Sequence, residues 1–218
     1  MKNTVIFDLD GVITDSEPLR YATYRKLFRD NYGVNLPEKM DKRMIGKSQK
    51  GKKMRALLNR YNLKGDIKEL IQKRAVLLDE ASSKKENIKP INGLFELLKS
   101  LQSHKFKLAI ASSSGYSYVT NILDCLGLKD VFEAIVTGEM VDKGKPNPDI
   151  FLLAAKKLGK KSKDCVVIED SYNGIAAAKA ANMKVIAITT YFSRKELSSA
   201  DMFVDDLSQI KLSDIKNI

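Results

Sequence analysis

Asp8 and Asp10 stand two residues apart at the end of the apolar run TVIF (residues 4–7), with Gly11 directly after them. Carboxylates that close repel one another, so the pair costs stability unless a cation or a reaction uses it. Three more clusters each follow a short apolar run. Ser112-Ser113-Ser114-Gly115 follows FKLAIA (106–111), Lys145-Pro146 follows AIVT (134–137) after the segment GEMVDKG, and Glu169-Asp170-Ser171 follows CVVI (165–168). Aspartates with backbone carbonyls suit Mg²⁺, which is commonly held by one or two carboxylates and a substrate phosphate. A metal would relieve the repulsion among Asp8, Asp10 and Asp170. A serine-rich turn entering a helix offers backbone N–H groups to a phosphate, and Lys145 offers a compact positive charge. A carboxylate beside a metal-bound phosphoryl group can attack phosphorus and form an aspartyl phosphate. A second carboxylate can exchange protons with the leaving oxygen and the incoming water.

These clusters share a site only if the runs before them are neighbouring parallel strands. TVIF, FKLAIA, AIVT, CVVI, KVIAI (184–188) and MFV (202–204) are short, apolar and rich in β-branched residues, the pattern of strands buried on both faces. Helical patterns separate them: INGLFELLKSLQSHK, with Pro90 and Asn92 suited to its start, then SYVTNILDCLGL, PDIFLLAAKKLG ending at Gly159, and SYNGIAAAKAANM. The alternation predicts an α/β fold, a doubly wound parallel sheet with right-handed crossovers. Ligands of such sheets bind beyond the carboxyl ends of the strands, where all four clusters would lie.

Residues 16–88 differ in texture. Helical periodicity runs through 17–31, 48–60 and 66–81, and no strand is evident. The block carries 19 lysines and arginines against 9 acids, a net +10, whereas the rest carries 19 against 18, a net +1. This predicts a helical unit inserted after the first strand, with linkers near Asp15–Pro18 and Glu86–Pro90. Its charge favours an anionic partner, or simply makes a solvated surface. Cys125 and Cys165 read as reduced core residues, and His104 in QSHKF as an exposed connector. No apolar run approaches the roughly 20 residues of a membrane span. The stretch before Asp8 is short for a secretory signal, so a cytoplasmic protein is expected.

The stretches FDLDGVITDSEP, AIASSSG, GKPNPDIF and VVIEDSYNGIAAAKAA resemble, in that order, the motifs of the haloacid dehalogenase (HAD) superfamily, and more closely its β-phosphoglucomutase-like phosphatase branch. The resemblance runs from Val5 to about Ile188. It implies a Rossmann-like core of residues 1–15 and 88–218 with a helical cap of residues 16–87. It implies Asp8 as nucleophile, Asp10 as general acid and base, and Ser112 and Lys145 as holders of the phosphoryl group. Asp170, with Asp8 and the Asp10 backbone carbonyl, would hold Mg²⁺, with Glu169 a ligand or just outside. Dehalogenases and phosphonatases of the superfamily lack the second aspartate and match poorly. Mutases of the branch typically carry a histidine near Arg20 and an arginine after a Gly-x-Ser turn. Here that turn is Gly46-Lys47-Ser48 followed by Gln49, and the single histidine is His104.

The leading expectation is therefore a Mg²⁺-dependent phosphatase acting on a small phosphorylated metabolite, a sugar phosphate or nucleoside monophosphate. Ser113, Arg20, Lys47 and Lys50, with Lys53 as a further one, are candidates to meet the substrate as the cap closes. A phosphomutase is the enzymatic alternative. A nucleic-acid-binding module using the basic block is a distant third, since it leaves the carboxylate set without a role, and no nucleic acid or membrane partner is expected. A monomer is expected. Asp15 and Glu17 read as hinge or capping residues, and Tyr21, Tyr24, Phe28 and Tyr32 as the core of the helical unit.

Overall fold

The computed structural model describes residues 2–38 and 51–218. Six strands form one parallel sheet: β1 (Thr4–Phe7), β2 (Lys107–Ser112), β3 (Ala134–Thr137), β4 (Cys165–Glu169), β5 (Lys184–Ile188) and β6 (Met202–Val204). Their spatial order is β3-β2-β1-β4-β5-β6. The chain winds outward from β1 to one edge, then returns to the other side of β1, so the topological switch lies beside that strand. The register pairs Phe7 with Ile110 of β2 and with Ile168 of β4, which brings three strand ends level.

Period-two alternation explains the two-sided burial. Val5 and Phe7 face one apolar layer with Leu108, Ile110, Val166 and Ile168, packed against α4 (Leu94–Ser103) and α5 (Tyr116–Leu126). Ile6 faces the other layer with Ala109, Ala111 and Val167, packed against α6 (Asp149–Lys157) and α7 (Tyr172–Ala180). Val5, Ile6 and Phe7 are fully buried, each burial worth about 1.5–3 kcal/mol before entropy is counted.

Helices α1 (Glu17–Tyr32), α2 (Lys52–Arg60) and α3 (Ile67–Ser82) occupy the basic block. Pro18 and Glu17 suit the first turn of α1, and Gly33 ends it in the left-handed region, its N–H donating to Arg29 and Phe28 carbonyls. Tyr21, Tyr24, Leu27, Phe28, Met54, Leu57, Leu58 and Leu70 form an apolar cluster of their own, with Tyr32 against it. Leu19 and Leu78 belong instead to the sheet's apolar layer, so α1 and α3 also lean on the sheet domain.

The two linkers lie side by side. The Asp15 N–H and Thr14 Oγ1 both donate to the Lys89 carbonyl, and Thr14 forms an antiparallel bridge with Pro90. Pro90 and Asn92 therefore do not start α4. Pro90 belongs to the linker bridge, and the Asn92 amide donates to Asp206. Helix α4 begins at Leu94, after Gly93 at φ 80°. A Cβ at Gly93 would meet the Ser208 backbone nitrogen at 2.2 Å, so a glycine is required by contact as well as by φ. His104 is exposed at the end of α4. Cys125 and Cys165 are free thiols, the second fully buried. No helix of the described residues is long and apolar enough to cross a membrane.

Candidate active site

The ends of β1, β2 and β4 and the loop after β3 open into a cavity of about 430 Å³, roofed by α1–α3. Asp8 follows β1 directly. Its N–H donates to the Ile168 carbonyl, so the sheet ladder runs up to the carboxylate itself. Lys145 Nζ lies 2.5 Å from Asp8 Oδ1 and 2.7 Å from Glu169 Oε1, with its side chain only 4% exposed. Glu169 is occupied at both oxygens, since Oε2 accepts from the Asp170 and Ser171 N–H groups and from Ser171 Oγ at 2.7–2.9 Å. Its carboxylate fills the space where Gly174 lacks a side chain, because a Cβ there would lie 1.6 Å from Oε1. Asp170 is buried. Gly11, at φ +82°, makes room for it: a Cβ would lie 2.0 Å from Asp170 Oδ2.

One lysine thus serves a crowd of acids. Burial pushes the Asp8 carboxyl up to about 7, with Lys145 opposing the rise and Glu169 and Asp10 adding to it. Burial, then Glu169, Asp8 and Asp10, raise Asp170 well above the ordinary carboxylate range. Burial alone would lower Lys145, but Asp8 and Glu169 outweigh it and keep the ammonium charged. Asp8, Glu169 and Asp170 each offer a carboxylate oxygen, all within 4.8 Å of one another. Buried, oxygen-only and short of positive charge, the cluster fits a hard divalent cation. The fit is best at Asp8 and Asp170, because both Glu169 oxygens already have donors.

The raised carboxyls give the metal-free protein a pH dependence. Between an ordinary value of 3.8 and about 7, folded Asp8 holds a proton that the unfolded chain releases. Stability therefore falls as pH rises through that window. Melting temperature in EDTA should be lower at pH 7.5 than at pH 5, and Mg²⁺ should recover the loss at pH 7.5. A melting temperature that climbs across the window in EDTA would contradict this.

Asp10 has the opposite environment. Ser16 Oγ and the Tyr118 hydroxyl donate to Oδ1 at 2.6 and 2.9 Å. Arg20 Nη1 and Ser114 Oγ donate to Oδ2 at 3.1 and 2.9 Å. Burial alone would raise this carboxyl, but the Arg20 charge and the hydrogen bonds from Ser16, Tyr118 and Ser114 hold it below its ordinary value. Two neighbouring aspartates of one loop are thereby driven apart in acidity, the arrangement that separates chemical roles.

Sequence profiles place this geometry. That of a family described as "Haloacid dehalogenase-like hydrolase" matches residues 5–188. The chain belongs to this family. It is 32% identical over 182 residues to "Phosphorylated carbohydrates phosphatase" of Thermotoga maritima, covering 84% of this chain and 82% of the relative. It is 31% identical over 213 residues to "Beta-phosphoglucomutase" of Bacillus subtilis, covering 95% and 91%. The crystal structure of beta-phosphoglucomutase from Clostridium difficile superposes with a TM-score of 0.77 at 29% identity, over 99% of this chain and 96% of that one. The protein is accordingly an enzyme of the haloacid dehalogenase type, a phosphoric monoester hydrolase or a phosphomutase.

Of the residues singled out in this haloacid dehalogenase-like chain, Asp8, Asp10, Arg20, Ser113, Lys145, Glu169 and Asp170 all line the cavity. Lys47 and Lys50, with the Gly46–Gln49 turn, lie outside the described residues. Ser112 does not line the cavity. It is fully buried, and its hydroxyl accepts from the Ser114 N–H at 3.1 Å, so Ser113 and Ser114 are the members of the turn that face inward. Accepting from that amide leaves the Ser112 O–H proton free to donate to a phosphoryl oxygen. The α5 N-terminus is also partly engaged, because the Tyr116 N–H donates to Glu139 Oε2 at 3.1 Å. Asp15 accepts from the Tyr191 hydroxyl, which in turn accepts from the Glu17 N–H at 3.2 Å. That loop of the sheet domain so holds the linker and the first residue of α1. Tyr118 and Arg74 lie outside every motif, and Ser16, though inside FDLDGVITDSEP, carries no role from it. Tyr118 reads in sequence as one more position of α5's buried stripe, and only its hydroxyl reveals the second use.

Proposed function

We propose that this enzyme is a Mg²⁺-dependent phosphatase that hydrolyses a small phosphorylated metabolite, a sugar phosphate or nucleoside monophosphate, through an aspartyl phosphate on Asp8. The observation that carries the reading is the contrast between Asp8, buried beside Lys145 at the cavity floor, and Asp10, two residues on and held by four donors. Asp8 Oδ attacks phosphorus in line, and the bond from phosphorus to the substrate oxygen breaks. Asp10 gives a proton to that leaving oxygen and later takes one from the water that cleaves the acyl phosphate. Held ionised by Arg20, Asp10 already has the form needed for the second half. For the first half it takes up a proton from solvent once the substrate's leaving oxygen displaces the guanidinium. Lys145, between Asp8 and Glu169, turns the nucleophile toward the cavity and offsets charge on a phosphoryl oxygen. Asp8, Asp170 and the Asp10 carbonyl would hold Mg²⁺, with Glu169 supporting Lys145 and the turn at Asp170. The ion would neutralise phosphoryl charge and the repulsion among the acids.

Residues 16–87 act in this reading as a cap over the core, with the paired linkers as its hinge. Closure excludes bulk water and completes the site with Arg20. Hydrolysis is favoured over mutase chemistry because His104, the single histidine, lies exposed at the end of α4. The test is phosphate release from a panel of sugar phosphates and nucleoside monophosphates, with Mg²⁺ or with EDTA. Release that EDTA abolishes and Mg²⁺ restores is the expected result, and release indifferent to both would overturn the metal dependence. Conversion of β-glucose 1-phosphate to glucose 6-phosphate, primed by the bisphosphate, would turn the reading to a mutase.

A further inference from the structure

The floor of the cavity is acidic and its roof is basic. The roof carries Arg20 from α1, Lys53 from α2 and Arg74 from α3, with Glu17 and Asp79 among them. Arg20 is engaged by Asp10 and Ser114. Lys53 Nζ lies 3.6 Å from Glu17 Oε2, an ion pair with both side chains about nine-tenths covered, and that oxygen has no hydrogen-bond partner. Arg74 has no carboxylate within ion-pair distance among the described residues. Its guanidinium lies 4.1 Å over the Tyr24 ring, and Nη2 donates to the Arg20 carbonyl at 3.3 Å. Nε is buried with no hydrogen-bond partner among the described residues. Burial lowers both Lys53 and Arg74, and the mutual repulsion of the three cations lowers them further, while Glu17 and Tyr24 oppose this.

Three largely covered cations facing a cavity are costly unless something anionic meets them. Arg20 and Lys53 have acids to answer them within the protein. Arg74 has none. We infer that Arg74 and Lys53 form a second anion subsite, and that the substrate is a phosphomonoester carrying a second anionic group, a phosphate or a carboxylate. This rests on the phosphatase reading and narrows its substrate class. The reacting phosphoryl group sits at the floor beside Asp8 and Lys145. The far anion completes the roof, where charge-assisted hydrogen bonds are roughly twice as strong as neutral ones. A neutral polyol phosphate leaves the roof uncompensated and is disfavoured, as a site built for a partner disfavours the analogue lacking it.

The experiment uses the Asp8→Asn protein with Mg²⁺ and titration calorimetry, so that binding is read without turnover. Two matched pairs are compared: glycerol 1-phosphate with 3-phosphoglycerate, and fructose 6-phosphate with fructose 1,6-bisphosphate. In at least one pair the member with the second anion should bind at least about tenfold tighter, and which pair does so identifies the anion. That ratio should fall to about one in Arg74→Gln and persist in Arg74→Lys. Lys53→Gln should lower it too, and carries the test if Arg74→Gln does not fold. A ratio near one in both pairs, or one that neither glutamine variant changes, overturns the subsite. The wild-type enzyme is assayed on the same four compounds. Tenfold discrimination without phosphate release would leave the subsite standing and remove the phosphatase reading.

Discussion

Asp8→Asn should lower phosphate release at least about 10⁴-fold while raising the melting temperature of the metal-free protein at pH 7.5. The loss follows from chemistry, since the side chain keeps its shape but has no carboxylate to attack phosphorus. The gain follows from the site's electrostatics. Burial and the neighbouring acids already push the Asp8 carboxyl up to about 7, so a neutral amide relieves a charge that the fold holds at a cost. Lys145 keeps Glu169 as a partner when Asp8 is replaced. In a chain of this size each kcal/mol relieved moves the melting temperature by about 2–4 °C. Opposite signs for activity and stability are what a site built for reaction at the expense of stability predicts. Phosphate release measured against time, with differential scanning calorimetry in EDTA, checks both. Activity within tenfold of wild type would remove Asp8 as the nucleophile.

Lys145→Met should lose activity and stability together. Methionine roughly fills the space of the lysine stem, so the change chiefly removes charge. Asp8, Glu169 and Asp170 are then left with no buried cation, and Glu169 Oε1 loses the donor it has. Removing one partner of a buried ion pair costs about 3–5 kcal/mol. The loss should shrink at pH 5, where the raised carboxyls take up protons, and should be largest near pH 8. Activity should drop by at least about 10²–10³, the usual effect of deleting one donor to a developing oxyanion. Mg²⁺ should recover part of the stability in Lys145→Met but little of the rate. Equal destabilisation at pH 5 and pH 8 would mean that packing, not charge, is what Lys145 contributes. Together the two variants separate the reacting group from its counter-charge, for they agree on activity and differ in the direction of stability.

The floor of the site was legible before any coordinates because a parallel sheet sends every strand's carboxyl end to the same edge. Asp8, Lys145, Glu169 and Asp170 could be assigned to one crevice from strand periodicity alone. Lys145 was separable from exposed Lys143 by its place before Pro146. The roof was not legible in that way. Whether Arg20 meets Asp10 depends on how two linkers orient a helix against a sheet, and no periodicity within α1 encodes that angle. Tyr118 is hidden for a related reason, since a tyrosine buried for its ring and a tyrosine buried for its hydroxyl occupy the same position in a helical stripe. Ser112 shows the finer limit. Three consecutive serines are equivalent in sequence, and it is the turn that aims Ser113 and Ser114 inward and folds the Ser112 hydroxyl back on the Ser114 amide. The misplaced start of α4 is similar: Pro90 and Asn92 are good helix openers locally, yet the neighbouring linker and Asp206 claim them first.

The central place of β1 also dictates when the enzyme comes into being. Thr4 is made well before its partners Lys107 and Cys165, which emerge only after the entire helical block. A chain leaves the ribosome at about 5–20 residues per second, so for several seconds the TVIF segment has no neighbour to pair with and Asp8 no Lys145 to face. The acids at its tip help here, since charge beside an unpaired apolar strand discourages it from joining another chain. A nascent chain arrested before Glu169 would carry Asp8 and yet have no site, because the last wall of the crevice is still inside the ribosome.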